Sequence, residues 1–462
     1  MLAAIKKKYI GSGAFYRHYI YLALPMIIQN AITNFVSFLD NIMVGQLGTE
    51  QMSGVAIVNQ LIFVFNLAIF GVTAAASIYG AQYYGKGDHK GHMYSFRFKL
   101  YAAVLVSALV IVLFMTKGSS LISLYLTDTT GDGATEVALE YALQYLAVMN
   151  IGLIPFGINQ AYSTTIKETG QTMVPMVAGM IAVGTNAVLD YLLIFGIGPF
   201  PSMGVRGAAL ATVIARFIEA GVVVGWAHSH LDKNKYLHGA YSGFGLPLNV
   251  FKAIMIKGFP LMINEVLWAA GMTTVTQCYS IRGLEVVAAV NIASTIGNLF
   301  NTVYIQLGAC IGIIVGQNLG AGELEEAKDN DNKMIAFSVG CCIVMAVLLF
   351  ALGGFFPKIY NTTDSIKALA TDFIAALAIF MPICSFSHCS YFTLRSGGKT
   401  IVTFIFDSAY TWVVVVPVAY CLAHFTGLGI VSIYFIVQSV EIIKAVIGYF
   451  MVKSNVWLVQ MV

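Results

Sequence analysis

Charge is what this sequence most lacks. Only 10% of its 462 residues are Asp, Glu, Lys or Arg, where a soluble globular chain carries roughly 25%. That deficit excludes most soluble folds. The net charge of +3 gives no basis for binding nucleic acid. The chain also has no G-x4-GK[ST] loop, no H-E-x-x-H and no G-x-S-x-G. Nucleotide, zinc-peptidase and serine-hydrolase chemistry therefore lack their sequence support, and the chain is not read as an enzyme. Cysteine is missing from the first half. All seven (Cys278, Cys310, Cys341, Cys342, Cys384, Cys389, Cys421) lie later, in apolar stretches without repeated C-x2-C spacing. Cys384 to Cys389 with His388 can be written as a metal site, but a membrane-embedded Cys is ordinarily a small apolar residue, and no metal is assigned. The basic N-terminus has no apolar core ahead of a small-residue cleavage site, so the first hydrophobic span is expected to serve as the insertion signal.

What is abundant is apolar surface. Residues of the AVILMFWYC set make up 58% of the chain, in blocks of about 20, the length that crosses a hydrocarbon core roughly 30 Å thick. Twelve spans are expected: 19–43, 53–84, 98–117, 136–165, 173–197, 205–229, 258–281, 287–318, 334–356, 371–394, 401–423 and 430–451. A span in lipid must satisfy its backbone internally. Continuous blocks rule out the short alternating segments of a barrel. The fold class is therefore an all-α integral membrane protein. With the N-terminus inside, 18 of the 25 Lys and Arg fall on inner segments and five on outer loops. This places both termini in the cytoplasm of a multi-pass plasma (cell inner) membrane protein.

The most specific feature is a duplication. At an offset of 235, Pro25 meets Pro260, Gly48 meets Gly283, Glu50 meets Glu285, Asn66 meets Asn301, Gln82 meets Gln317, Gly85 meets Gly320 and Gly87 meets Gly322. Pro155 and Pro382, then Gly170 and Gly397, match at 227. Gly207 and Gly429, then Glu219 and Glu441, match at 222. Six spans per half is an even number, so both halves insert the same way, as two parallel six-helix repeats about an axis along the membrane normal. That is a transporter architecture. The expected domains are an N-terminal lobe at 15–232, a cytoplasmic linker at 233–250 and a C-terminal lobe at 251–453.

Charges inside spans are costly and rarely accidental. Asp40 and Asp190 sit at similar depth in spans 1 and 5, with Asn186 one turn before Asp190. Two close buried carboxylates cannot both stay charged cheaply, so the group suits a proton or Na⁺. The alternative has Asp40 capping a helix end and Asp190 bonding a neighbouring helix. Glu265, His388 and Asp407 share a depth in the second half and form a possible second site, with interfacial hydration as the alternative for His388 and Asp407. Arg216 with Glu219, and Glu441 with Lys444, stand three apart and read as self-neutralising pairs. Pro25 and Pro260 are hinge candidates or tolerated kinks. Gln29, Asn30, Asn34 and Asn264 are candidates for a wet cavity wall that meets substrate, or for interhelical hydrogen bonds.

The stretch LALPMIIQNAITNFVSFLDNIMVGQLGTEQMSGVAI resembles the first-span signature of the multidrug and toxic compound extrusion (MATE) transporters. YGAQYYGKGDHK and its repeat VGQNLGAGELEEAK resemble the ends of their second and eighth spans. STTIKETGQT and YFTLRSGGKT resemble the loops after spans 4 and 10. The resemblance runs from about Phe15 to Lys453. It implies a two-lobed, V-shaped exporter that exchanges H⁺ or Na⁺ for a drug-like, often cationic compound. Asp40, Asn186 and Asp190 match the family's first-lobe site, and Glu265 matches a span-7 Glu of several branches. Cys384 stands where some branches carry a span-10 acid, so a second-lobe site would need His388 or Asp407. The chain is thus expected to act as a monomer in a lipid bilayer on a small-molecule substrate. It would use no nucleotide and no cofactor beyond the coupling ion. A flippase or exporter of a lipid-linked or specific metabolite is the alternative. Against it, the only cations within spans, Arg216 and Lys444, have acidic partners.

Overall fold

The computed structural model describes residues 8–126, 134–243 and 245–462. Twelve long helices follow the expected spans, and the described residues contain no strand. They are α1 (Gly13–Gly45), α2 (Thr49–Lys86), α3 (His89–Ser123), α4 (Thr135–Glu168), α5 (Met173–Phe195), α6 (Val205–Ser229), α7 (Leu248–Ser280), α8 (Leu284–Ala321), α9 (Leu324–Gly353), α10 (Asp364–Ser396), α11 (Thr400–Phe425) and α12 (Ile430–Lys453). Eleven are long and apolar enough to cross a membrane. The twelfth, α7, is just as long, but adjacent Asn264 and Glu265 in its middle lower its hydropathy. Leu105, Leu109, Val112 and Met115 on α3 are exposed, as are Val344, Val347 and Phe350 on α9. In water such faces would be an aggregation hazard, whereas lipid is their natural solvent.

Hydropathy set where the helices lie and missed their interruptions. The spans predicted at 98–117 and 334–356 begin a turn or more earlier, at His89 and Leu324. In α4 a 3₁₀ turn at Asn150–Gly152 precedes Leu153, and Pro155 falls in the first turn that follows, where a missing N–H is tolerated. In α11 the bonding widens to π-helix over Ile405–Ala409 and again over Thr411–Val415. Such bulges cluster at functional sites.

Packing divides the chain into two compact units. One comprises Ile28–Gly80 and His89–Ala253. The other comprises the described part of Met1–Ile27, Ala81–Asp88 and Ile254–Val462. Two unit boundaries thus fall inside α1 and α2, the first of them two residues beyond Pro25. Within the second unit, the start of α1 enters a core with α8 to α10, where Tyr19 Oη donates to the Leu307 carbonyl at 3.0 Å.

The repeated glycines have a geometric cause. Gly48 (φ 140°) and Gly283 (φ 126°) precede α2 and α8, and Gly87 (φ 76°) and Gly322 (φ 81°) follow them. All four hold backbone angles that a side chain strains. Asp88 N donates to the Tyr83 carbonyl at 2.9 Å, and its repeat mate Glu323 N donates to the Asn318 carbonyl at 3.0 Å, closing both helices with the same motif. Gly85 and Gly320 serve close approach instead. A Cβ on Gly85 would strike the Gln317 carbonyl, and one on Gly320 would strike the Gln82 carbonyl. Gln82 and Gln317 are themselves a repeat pair, so the C-terminal ends of α2 and α8 cross through one self-complementary contact made twice, as at a two-fold axis.

Residues 457–461 fold onto this crossing. Gln82 Nε2 donates to the Ser396 carbonyl at 3.0 Å and the Val459 carbonyl at 3.2 Å. Met461 N donates to Gln82 Oε1 at 2.7 Å, and Gln460 Nε2 donates to the Gly320 carbonyl at 2.9 Å. Trp457 is fully buried beside Gly397.

In the first unit the segment after α6 is strapped to α3. The Arg97 guanidinium donates to the carbonyls of Ala240 (2.8 Å), Gly239 (2.6 Å) and Gly245 (2.8 Å). Tyr236 packs against His92 and Phe96. Beneath it Glu168 accepts from Lys99 and, at 3.2 Å, pairs with His92. A Cβ on Gly80 would overlap the Glu168 carboxylate.

Two outcomes follow from this packing. Gly85→Ala and Gly320→Ala should each lower the melting midpoint of detergent-purified protein, at a cost of about 1–3 kcal/mol for forced backbone shifts. Gly340→Ala, where nothing lies within 4 Å of the new Cβ, should leave it unchanged or raise it. Equal midpoints for all three would remove the close-approach account. Arg97→Lys replaces three separate nitrogens, each on its own carbonyl, by a single one, so limited proteolysis should cut 239–247 several-fold faster than in the native chain.

Candidate functional site

Each unit holds a buried polar group within its spans. In the first, α1 supplies Asp40, α5 supplies Asn186 and Asp190, and α4 and α6 close around them. Asp190 is 1% exposed and lies within reach of both Asp40 and Asn186. Neither Asp190 oxygen, nor Asp40 Oδ1, receives a hydrogen bond from the described residues. Asn186 spends its amide on Thr212 Oγ1 at 3.4 Å. Two carboxyls that face each other with no protein donor between them can share one proton or ligate one small cation, and Asn186 can add a neutral oxygen.

Sequence reasoning missed two members. Tyr145 on α4 donates to Asn59 Oδ1 at 3.4 Å and lies close enough to Asp40, Asp190 and Arg216 to feel their charges. Thr212 fixes Asn186. A Tyr or Thr in an apolar span carries no signal of its own. Arg216 was expected to neutralise Glu219. The two act on each other's charge without a direct ion pair, and the guanidinium lies over the Phe156 ring at 5.1 Å and donates to the Gly152 carbonyl at 3.4 Å.

Of the cavity candidates in α1, Gln29 packs against Gly179 of α5 with its Oε1 buried and unbonded. Asn30 is half-buried and Asn34 exposed. Pro25 is buried, and both Pro25 and Pro260 sit in unbroken helix.

In the second unit α7, α10, α11 and α12 converge on Asp407. Lys444 Nζ donates to Asp407 Oδ1 at 2.8 Å and lies 3.6 Å from Glu441 Oε1. Lys444 therefore does not belong to Glu441 alone, as the three-residue spacing suggested. Its shorter bond crosses to α11. Asn264 Nδ2 donates to Asp407 Oδ2 at 3.0 Å, and Asn264 Oδ1 accepts from Ser408 N (3.2 Å) and Ser408 Oγ (2.8 Å). The π-helical turn presents Asp407 and Ser408 together to one amide. Glu265 accepts from Tyr391 Oη at 3.4 Å, with Arg395 and Asp407 near enough to act on it. His388 turns its ring edge-on to Tyr304, at 4.9 Å between centroids. It stands close enough to Asp407 and Lys444 to feel their charges, outside the bonded set. No group of three or more His, Cys, Asp or Glu among the described residues is placed to hold a metal ion.

Apolar helices facing lipid, a duplicated chain and carboxylates buried in both halves define a multi-pass membrane transporter. The sequence pattern of the MatE family matches residues 25–192 and 260–421, the two repeats read from the offsets. The chain belongs to the MatE family, whose members are transporters and not enzymes. It is 26% identical over 434 residues to a probable multidrug resistance protein NorM of Deinococcus radiodurans, covering 92% of each chain. It is 23% identical over 412 residues to the protein of that description in Thermotoga maritima, covering 89% of this chain and 86% of the other. Among solved structures, a MOP superfamily transporter from Pyrococcus furiosus has the same fold with a TM-score of 0.84 at 18% identity, covering 95% of both chains. A Vibrio cholerae MATE transporter superposes with a TM-score of 0.84 at 16% identity, covering 96% of this chain and 97% of the other.

The Asn264–Ser408 contact yields a measurable coupling. Asn264→Ala should destabilise by about 1–3 kcal/mol, since it takes the donor from Asp407 Oδ2, and Ser408→Ala should cost less, since Asn264 Oδ1 keeps the Ser408 N–H. A double-mutant cycle on thermal unfolding should show that the pair costs less than the sum, by roughly 0.5–3 kcal/mol. Strict additivity would mean that the contact does not form.

Proposed function

We propose that the protein is a cation-coupled secondary antiporter that exports drug-like, cationic amphipathic compounds by alternating access. One observation carries the reading: Asp40 and Asp190 face each other inside the spans beside Asn186, and neither Asp190 oxygen receives a hydrogen bond from the described residues. An isolated pair of carboxyls is too costly to retain in an apolar span for structure alone. H⁺ or Na⁺ binding at Asp40, Asn186 and Asp190 would shift the population between outward-open and inward-open states. It does so only through unequal affinity for the two. Gln29, Asn30 and Asn34 of α1 would contact substrate, whereas Asn264, 1% exposed and bonded to Asp407 and Ser408, would serve the packing of its own unit, and Pro25 and Pro260 would act as hinges. The relatives named as multidrug resistance proteins support the substrate class. The distribution of Lys and Arg supports a cell inner membrane protein with both termini cytoplasmic. The proposed lobes are 15–232 and 251–453, and the proposed working form is a monomer.

The test is efflux of a fluorescent cationic dye from reconstituted vesicles under an imposed H⁺ or Na⁺ gradient. One gradient should drive export by the native chain. Asp40→Asn and Asp190→Asn should each cut the gradient-driven rate tenfold or more, within the range of roughly 5–150-fold typical of coupling between sites. Normal transport by Asp190→Asn under both gradients would overturn the assignment.

A further inference from the structure

The two units hold their buried carboxylates in opposite ways. Neither Asp190 oxygen receives a hydrogen bond from the described residues, although Asn186 lies within reach, whereas Asp407 has a donor on each oxygen: Lys444 Nζ at 2.8 Å on Oδ1 and Asn264 Nδ2 at 3.0 Å on Oδ2. Lys444 is 5% exposed. Its ammonium is shared with Glu441 at 3.6 Å and lies over the Phe406 ring at 5.5 Å. The groups that face this point come from every packed element: Asn264 and Glu265 on α7, His388, Tyr391 and Arg395 on α10, Ser408 on α11, and Glu441 on α12. Two carboxylates and a ring around one small positive charge are surroundings that suit a bound monovalent cation. Here that charge is covalently attached.

We propose that Lys444 is a built-in counter-cation that fills the Asp407–Glu441 position, so that the second repeat takes no free cation and ion binding is confined to Asp40 and Asp190. The residue is thus a determinant of how many ions the protein can bind. Removing the ammonium exposes two carboxylates 37 and 3 residues away in sequence, held where a primary ammonium or Na⁺ can bridge them. The methylene stem packs in the span and contributes apart from the charge.

This inference deepens the coupled-transport reading and rests on it only in assigning the ion to the first repeat. Its test measures binding and not flux, so a chain that moves no dye still reports on Lys444. The background is full-length Asp40→Asn/Asp190→Asn protein in detergent, which removes the first-repeat carboxylates. Its melting midpoint should be the same in NaCl, methylammonium chloride and choline chloride at equal ionic strength. Adding Lys444→Ala should produce a saturable rise in midpoint with Na⁺ or methylammonium over choline, and Asp407→Asn should abolish that rise. Lys444→Met preserves the packed stem and gives the same Na⁺ readout if the Ala variant does not fold. A Na⁺-dependent rise with Lys444 intact that Asp407→Asn abolishes would overturn the proposal. So would a folded Lys444 variant indifferent to both cations.

Discussion

The C-terminal ends of α2 and α8 touch backbone to backbone, and much of the molecule is arranged by that contact. Each helix presents a glycine to the carbonyl of the other's glutamine, three residues before that helix's own glycine. No side chain intervenes, so no rotamer change can relieve a substitution on either side. The left-handed glycines that bracket both helices fix where each starts and stops, and so fix the register in which the two ends meet. A duplicated chain reaches this arrangement cheaply, because one pair of complementary surfaces, once present, is present twice.

The second organising constraint is electrostatic. A carboxylate removed from water needs a partner, and the two units meet the need differently. Around Asp407 an ammonium, an amide and a hydroxyl close a complete network that holds α7, α11 and α12 in one geometry. Around Asp190 the protein supplies an opposing carboxyl, and neither Asp190 oxygen receives a hydrogen bond from the described residues. Membership of the MatE family gives that contrast a context, since transport requires a site that can be both filled and emptied.

Legibility in the sequence followed the size of the physical penalty. The repeat could be read because φ > 0 and close approach admit only glycine, so Gly48, Gly85 and Gly87 recur at a fixed offset in Gly283, Gly320 and Gly322. The meeting of Asp40 with Asp190 could be read because acid residues are rare in apolar spans and equal depth follows from counting residues. The pairing of Lys444 with Asp407 could not, because a nearer acid, Glu441, sits one turn away and satisfies the same rule of spacing. Tyr145 and Thr212 incur no penalty where they stand, so nothing marked them. The π-helical turns of α11 left no trace either, since hydropathy records what a segment contains and not how its carbonyls are paired.

The order of synthesis bears on the segment at residues 454–462. Gln82 emerges from the ribosome early, yet two of the backbone groups that satisfy its amide, the Val459 carbonyl and the Met461 N–H, lie 377 and 379 residues downstream. The twelve helices are all made before those groups exist. The third partner, the Ser396 carbonyl, arrives only with the end of α10. The full set of three hydrogen bonds to the Gln82 amide is therefore available only once residues 459–461 have been made.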